Sequence, residues 1–182
     1  MKVDLASFKN KEFNPGSFLK RTLWYYVNLI FFNNGWFPFY GLKIFWLKLF
    51  GATIGVNVLI KPYVNIKYPW LLSIGDNVWI GEQVWIDNLA KVIIGNNVCI
   101  SQGALLLCGN HNYKLPTFDL IIKEIVLEDG VWVCAKAIIT QGVVCKSHSV
   151  IGVGAIITLD TEPFTVYSSN ITAKAGLRNV GH

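Results

Sequence analysis

Residues 105–120 read LLLCGNHNYKLPTFDL and hold two side chains with chemistry to offer, His111 and Cys108. Histidine titrates near neutral pH, so it can take up and return a proton during a reaction. Cysteine becomes a nucleophile as the thiolate, which requires an activating neighbour. His111 is the only histidine before His148, so Cys108 has no second histidine to activate it. The same segment breaks a pattern. IGDNVWIGEQVWIDN before it and LEDGVWVCAKAIITQGV after it both keep a six-residue beat that the segment abandons. Such an excursion carries an ordering cost, and long loops on rigid scaffolds are where function concentrates. His111 stands at its root, five residues after Leu106, where a scaffold can hold it. On residue type alone it is either a proton carrier or a solvated loop histidine bonded to its neighbours.

The beat defines the scaffold. Aliphatic residues recur at Ile54, Ile60 and Ile66, at Ile74, Ile80 and Ile86, and at Ile94, Ile100 and Leu106, six apart within each trio and eight apart between trios. Beyond the insert it resumes at Leu127, Val133, Ile139, Cys145, Ile151 and Ile157. A valine or alanine sits four residues after most of these, as at Val64, Val84, Ala104 and Ala137. Six residues make a short strand plus a corner, and three such sides close a coil. Fifteen hexads therefore predict a triangular prism of about five stacked coils, with both repeated positions facing inward. Gly and Asn near the corners suit left-handed backbone angles. A helix would repeat at three and four residues, and a sandwich of short strands would not keep phase across a long insertion.

Composition sets the remaining bounds. The 182 residues suit one domain, and 53% hydrophobic against 15% charged residues exclude disorder. The apolar runs at 22–32 and 44–56 are too short or too charged to span a bilayer, and the N-terminus lacks an apolar signal core. These features point to the cytoplasm, with attachment to the inner-membrane surface left open. Cys99, Cys108, Cys134 and Cys145 show no zinc-type spacing, so ordinary thiols and no metal are expected. The net charge of +5 comes without a basic run, which argues against a nucleic-acid partner. Three regions follow: residues 1–50 as a helical cap or interfacial segment, 51–162 as the prism with its loop at 107–124, and 163–182 as a tail. Ser17 caps a first expected helix, and a second follows Pro38. Their aromatic load fits a cap on the open prism end. It equally fits an interfacial pair with Lys20, Arg21, Lys43 and Lys48 near lipid headgroups.

The hexads with the GNHNY insert resemble the hexapeptide-repeat acyltransferases, and residues 60–113 are most similar to the O-acetyltransferases of exopolysaccharide biosynthesis, the colanic-acid type. The resemblance runs from about Phe18 to Leu177. It implies a mainly β fold, a left-handed parallel β-helix, although crossovers in general prefer the right hand. It implies acetyl-CoA as co-substrate, a saccharide acceptor and a homotrimer with sites between prisms, which would also cover Trp79, Trp85 and Trp132. By position His111 matches the general base, acting by direct transfer without an acyl-enzyme. The backbone N–H of Ala135 matches the oxyanion donor, and Trp132 matches a tryptophan lining the site. The coenzyme would lie along Ala135, Val153, Gly154 and Thr158, with Lys174 and Arg178 toward its phosphates.

The chain departs from the family pattern at Leu159, at Cys134 and in the SNITAK tail, all on the coenzyme side. Gly81 stands where some sugar acetyltransferases have an acceptor-binding asparagine. At the coil corner before the loop, Asp87 and Asn88 are either acceptor ligands or turn residues, and Asp87 could instead orient His111. Tyr113 and Asp119 are weaker acceptor candidates, His148 reads as an exposed corner, and His182 is terminal. A non-catalytic β-helix, scaffold or membrane-surface module, is the rival from another class. It would need no histidine loop. A zinc-dependent β-helix enzyme would need three clustered histidines, and the chain has only His111, His148 and His182.

Overall fold

The computed structural model describes residues 4–8 and 13–169, and the backbone of the strand Lys174–Leu177. Three parallel sheets form the faces of a prism. The first face stacks Thr53–Ile54, Leu72–Ile74, Val92–Ile94, Ile125–Leu127 and Val144–Cys145. The second stacks Leu59–Ile60, Trp79–Ile80, Cys99–Ile100, Trp132–Val133 and Val150–Ile151, then adds Thr165–Tyr167. The third stacks Asn65–Ile66, Trp85–Asp87, Leu105–Leu107, Ile138–Ile139 and Ile156–Ile157. Five coils are complete and a sixth begins.

Register explains the hexad. Ile54, Ile74, Ile94, Leu127 and Cys145 stand directly above one another, as do Ile60, Ile80, Ile100, Val133 and Ile151. Every leading residue is buried, and so are Val64, Val78, Val84, Val98, Ala104, Val131, Ala137, Val143 and Ala155 four residues on. The corner residue three past each leading position of the first two faces has a left-handed backbone. Asn57, Asn77, Asn97, Gly130 and Gly154 were the expected types, but Tyr63, Gln83, Lys136 and His148 adopt it too. That conformation costs a residue with a side chain roughly 1–2 kcal/mol, which closure of the coil offsets. Gly81 has a different reason: a Cβ there would lie 2.7 Å from the amide nitrogen of Gln102 in the next coil. An asparagine at this position would push the coils apart.

The first coil has no coil below it, so its carbonyls on that edge need other donors. The N-terminal helices supply them. Helix α1 (Phe18–Val27), with Ser17 Oγ accepting from the Lys20 amide, runs on into a wider turn, Asn28–Phe32, and α2 covers Tyr40–Leu49. Trp24 Nε1 donates to Ile66 O at 2.7 Å, and Lys43 Nζ donates to Ile60 O and Lys61 O at 3.3 and 3.0 Å. Lys43 is therefore fully buried, not near a headgroup, and burial pushes its pKa down from 10.5 to about 8. Trp24, Phe32 and Leu47 join the prism core. The helices cap the open end.

Candidate active site

After Leu107 the chain leaves the third face. It forms a two-stranded antiparallel ribbon, Gly109–His111 against Leu120–Ile122, and rejoins the first face at Ile125. The Asn110 side chain accepts from the His111 amide at 2.8 Å, and His111 Nδ1 lies 2.8 Å from Phe118 O. A carbonyl only accepts, so Nδ1 carries a proton, and in the neutral imidazole Nε2 is the nitrogen with the lone pair. Phe118 has a left-handed φ of 51°, and its ring stacks on the imidazole at 4.4 Å between centroids. Phe8 reaches the same imidazole at 5.7 Å, and the Asp4 amide ties that N-terminal segment to Pro116 O at 2.9 Å. The result is a half-buried histidine of fixed tautomer on the rim of a rigid coil. Neither aromatic neighbour was anticipated. The spacing of Phe118 from His111 hints at a hairpin partner, but nothing local points to Phe8.

Cys108 sits three residues from His111 and is inert. It is fully buried, and desolvation pushes its thiol up to about 11. Burial likewise raises Cys99, Cys134 and Cys145, and all four cysteines are free. No group of three His, Cys, Asp or Glu that could hold a metal forms among the described residues.

The acceptor candidates part company. Asp87 pairs with Lys67 Nζ at 2.7 Å, so Phe118 O, and not Asp87, orients His111. Asp87 is nonetheless the register partner of Leu107, on the edge from which the loop springs. Asn88 is fully buried: its Oδ1 accepts from Tyr68 N at 2.9 Å, and its Nδ2 donates to Tyr68 O at 2.6 Å. That clamp ties two corners and leaves Asn88 out of an acceptor's reach in this conformation. Tyr113 is exposed in the loop. His148 does sit at a corner but is half-buried, stacked on Phe164 with Nδ1 2.6 Å from Ser147 Oγ.

On the coenzyme side, Ala135 occupies the corner where the second face turns into the third. Its carbonyl accepts from Gly154 N at 2.9 Å, while its own N–H donates to no described residue. Val153 and Gly154 repeat that corner one coil on, and Thr158 is exposed beside Leu159. Trp132 stands outward on the second face, and its Nε1 donates to Ser101 Oγ at 3.0 Å. Lys174 opens the strand paired antiparallel with Thr165–Tyr167, and Arg178 lies outside the described residues. The His111 loop and Ala135 stand on different edges, with the third face between them. Within one chain they do not meet.

Comparison with known proteins decides the family. No family model matches the chain. It is 36% identical over 152 residues to the putative colanic acid biosynthesis acetyltransferase WcaF of Escherichia coli strain K12, covering 82% of each chain. The chain belongs to the hexapeptide-repeat acetyltransferases. It is also 30% identical over 123 residues to the galactoside O-acetyltransferase of Escherichia coli, spanning 66% of this chain and 61% of that one. Among solved structures, a hexapeptide-repeat acetyltransferase from Vibrio cholerae O1 biovar eltor complexed with acetyl coenzyme A matches with a TM-score of 0.83 at 19% identity, over 96% and 97% of the two chains. For an acetyltransferase of this kind the inventory is coherent: a histidine with a nitrogen left for proton transfer, an unused backbone donor, and a neighbouring Cys108 thiol too well buried to compete.

Proposed function

We propose that the protein transfers the acetyl group of acetyl-CoA to a saccharide hydroxyl in exopolysaccharide biosynthesis, directly and without an acyl-enzyme. The observation that carries the mechanism is the Nδ1–Phe118 O bond, which reserves Nε2 of His111 for proton transfer. Nε2 takes the hydroxyl proton as the oxygen attacks the thioester carbonyl. The tetrahedral oxyanion accepts a hydrogen bond from the Ala135 N–H. The carbon–sulfur bond then breaks, and the imidazolium returns the proton to the leaving sulfur, giving the acetyl ester and coenzyme A. Because His111 and Ala135 stand on different edges, the two come from neighbouring chains of a homotrimer. That assembly also covers the outward Trp79, Trp85 and Trp132. The pantetheine arm follows Ala135, Val153, Gly154 and Thr158, with Lys174 and Arg178 toward the nucleotide phosphates. Tyr113 and the Asp87 edge face the acceptor.

Thiol release from acetyl-CoA, measured against a panel of saccharides, tests this reading. General-base catalysis supplies roughly two to four orders of magnitude, so His111→Ala should lose that much turnover while keeping coenzyme A affinity. Cys108→Ser should remain active. Full turnover by His111→Ala would overturn the mechanism.

The outer sides of the capping helices favour work at the cytoplasmic membrane surface. Leu19, Leu23, Tyr26 and Ile30 form one exposed stripe on α1 and its continuation, and Leu42, Phe45 and Leu49 form another on α2. No described helix is long and apolar enough to cross a membrane. Sedimentation with anionic vesicles should carry the protein down, and Leu23→Glu should release it. Failure of the wild type to sediment would remove this attachment without touching the chemistry.

A further inference from the structure

A crevice of about 360 Å³ opens between α1 and the first coil, lined by Arg21, Tyr25, Asn28, Asn33, Lys67 and Tyr68 among others. Two of its polar atoms, Arg21 Nε and Asn28 Oδ1, are buried without a hydrogen-bond partner. Asn28 spends its Nδ2 on Asn65 Oδ1 at 2.7 Å, so the orphan is the acceptor end of the amide. Native folds rarely leave buried polar groups unpaired, and an orphaned pair in one crevice points to a guest. The guest must satisfy both. Arg21 Nε–H calls for an acceptor, ideally an anion, while Asn28 Oδ1 calls for a donor such as a hydroxyl.

Charge agrees. No carboxylate lines the crevice, and Lys67, held by Asp87 at 2.7 Å, has further N–H groups to give. From Phe13 to Gly75 the chain has the cations Lys20, Arg21, Lys43, Lys48, Lys61 and Lys67 and no Asp or Glu. Position agrees as well. Asn65 pairs in register with Trp85, Asp87 with Leu107, and the His111 loop begins just beyond. The crevice thus lies along the same edge as the histidine, two coils earlier, a separation of about 10 Å at one strand spacing per coil.

We propose that this crevice binds the phosphate or diphosphate linking the saccharide acceptor to its carrier, making the acceptor a phosphate-linked saccharide and not a free sugar. Arg21 and Lys67 hold the phosphate, and Asn28 takes a hydroxyl of the adjoining sugar. A more distant hydroxyl then extends toward His111. The assignment rests on the acetyl-transfer reading above, because it concerns that reaction's acceptor. Nucleotide and polyprenyl carriers share this phosphate chemistry.

Calorimetry on the full chain without coenzyme A tests it, using inorganic pyrophosphate, UDP-glucose and farnesyl diphosphate as probes. At least one probe should bind, with affinity falling tenfold or more in Arg21→Gln. Asn33→Asp should weaken it similarly, since Asn33 is exposed and the change leaves packing intact. Tighter binding of UDP-glucose would support the site with a nucleotide carrier, and tighter binding of farnesyl diphosphate would support it with a lipid carrier. No binding of any probe at millimolar concentration, or binding indifferent to both substitutions, would overturn the proposal. So would loss of binding under saturating coenzyme A, which would assign the phosphate site to the coenzyme. A chain that binds the probes through Arg21 but not coenzyme A would keep the crevice and defeat acetyl transfer.

Discussion

Two edges of the prism turn with the same backbone geometry and are finished in opposite ways. Where the first face meets the second, short acidic and amide side chains seal the corner. Asp76 Oδ1 accepts from the Val56 amide at 2.8 Å, Asn96 Oδ1 from Asp76 at 2.8 Å, and Asp129 Oδ1 from Asn96 at 2.7 Å. Glu128 does the same for Ser147 at 2.8 Å. Where the second face meets the third, the equivalent residues are Pro62, Glu82, Gln102, Ala135 and Val153. Proline has no amide hydrogen, and the other four amides donate to no described residue. A row of open donors on a rigid edge is what a chain-like ligand with carbonyl groups can use, and what an oxyanion requires. The sealed edge is structural and the open edge is where chemistry can enter.

Of the changes that separate the two edges, the largest expected effect strikes the open one. Ala135→Pro deletes one N–H and little else, because Pro62 already occupies the same corner of the first coil: Ile60 and Val133 share one inward ladder. Losing an oxyanion donor costs roughly 10²–10³ in turnover, so the variant should fold normally and fall by that factor. Mixing it with His111→Ala chains before refolding sharpens the point. If sites form between chains, random assembly rebuilds about a quarter of them, because each variant contributes the group its neighbour lacks. A mixture no more active than its components would confine the site to one chain and break the account.

How much of this the sequence disclosed depends on range. The six-residue beat and the inward ladders were legible because each follows from a pattern repeated many times along the chain. The extruded loop that carries His111 was legible because it interrupts that pattern. Asn88 and Asp87 were not, since their partners Tyr68 and Lys67 lie one coil back. That separation of twenty equals the coil length, so stacking the sequence in twenties would have exposed both pairs. Trp24, Lys43 and Phe8 obey no repeat. Their roles come from the open end of the prism and from the loop, where local pattern gives way to tertiary contact.

Lys43 provides a middle-sized effect, because it seals the free edge of the first coil as Asp76 and Asn96 seal a corner. Its folded pKa, about 8 against 10.5 in an ordinary lysine, means the folded chain gives up the proton first as pH rises. Between these values the unfolded chain binds more protons, so this residue's contribution to stability rises with pH. Urea titrations should show the wild type gaining on Lys43→Met from about pH 8 to pH 10.5. Cys108 and Cys145, raised to about 11 and 12, act in the opposite direction but equally in both proteins. A pH-independent difference would mean that Lys43 is not desolvated as described.

The smallest effect tests the sealed edge itself. Asp76→Ala removes the acceptor of the Val56 amide, and Gly55 lacks a Cβ in part because Asp76 Oδ1 fills that space. Val56 is exposed, so water can replace much of the lost bond, and the cost should be about 0.5–1.5 kcal/mol. Asp76→Asn keeps an acceptor oxygen in place and should recover most of it. Neither change should alter turnover at 25 °C, because a chain that remains mostly folded still presents an intact open edge and an intact His111. Thermal melts beside initial rates separate the two quantities. If Asp76→Ala lost turnover as heavily as Ala135→Pro while still folded, the edges would not divide into one that holds the prism together and one that works.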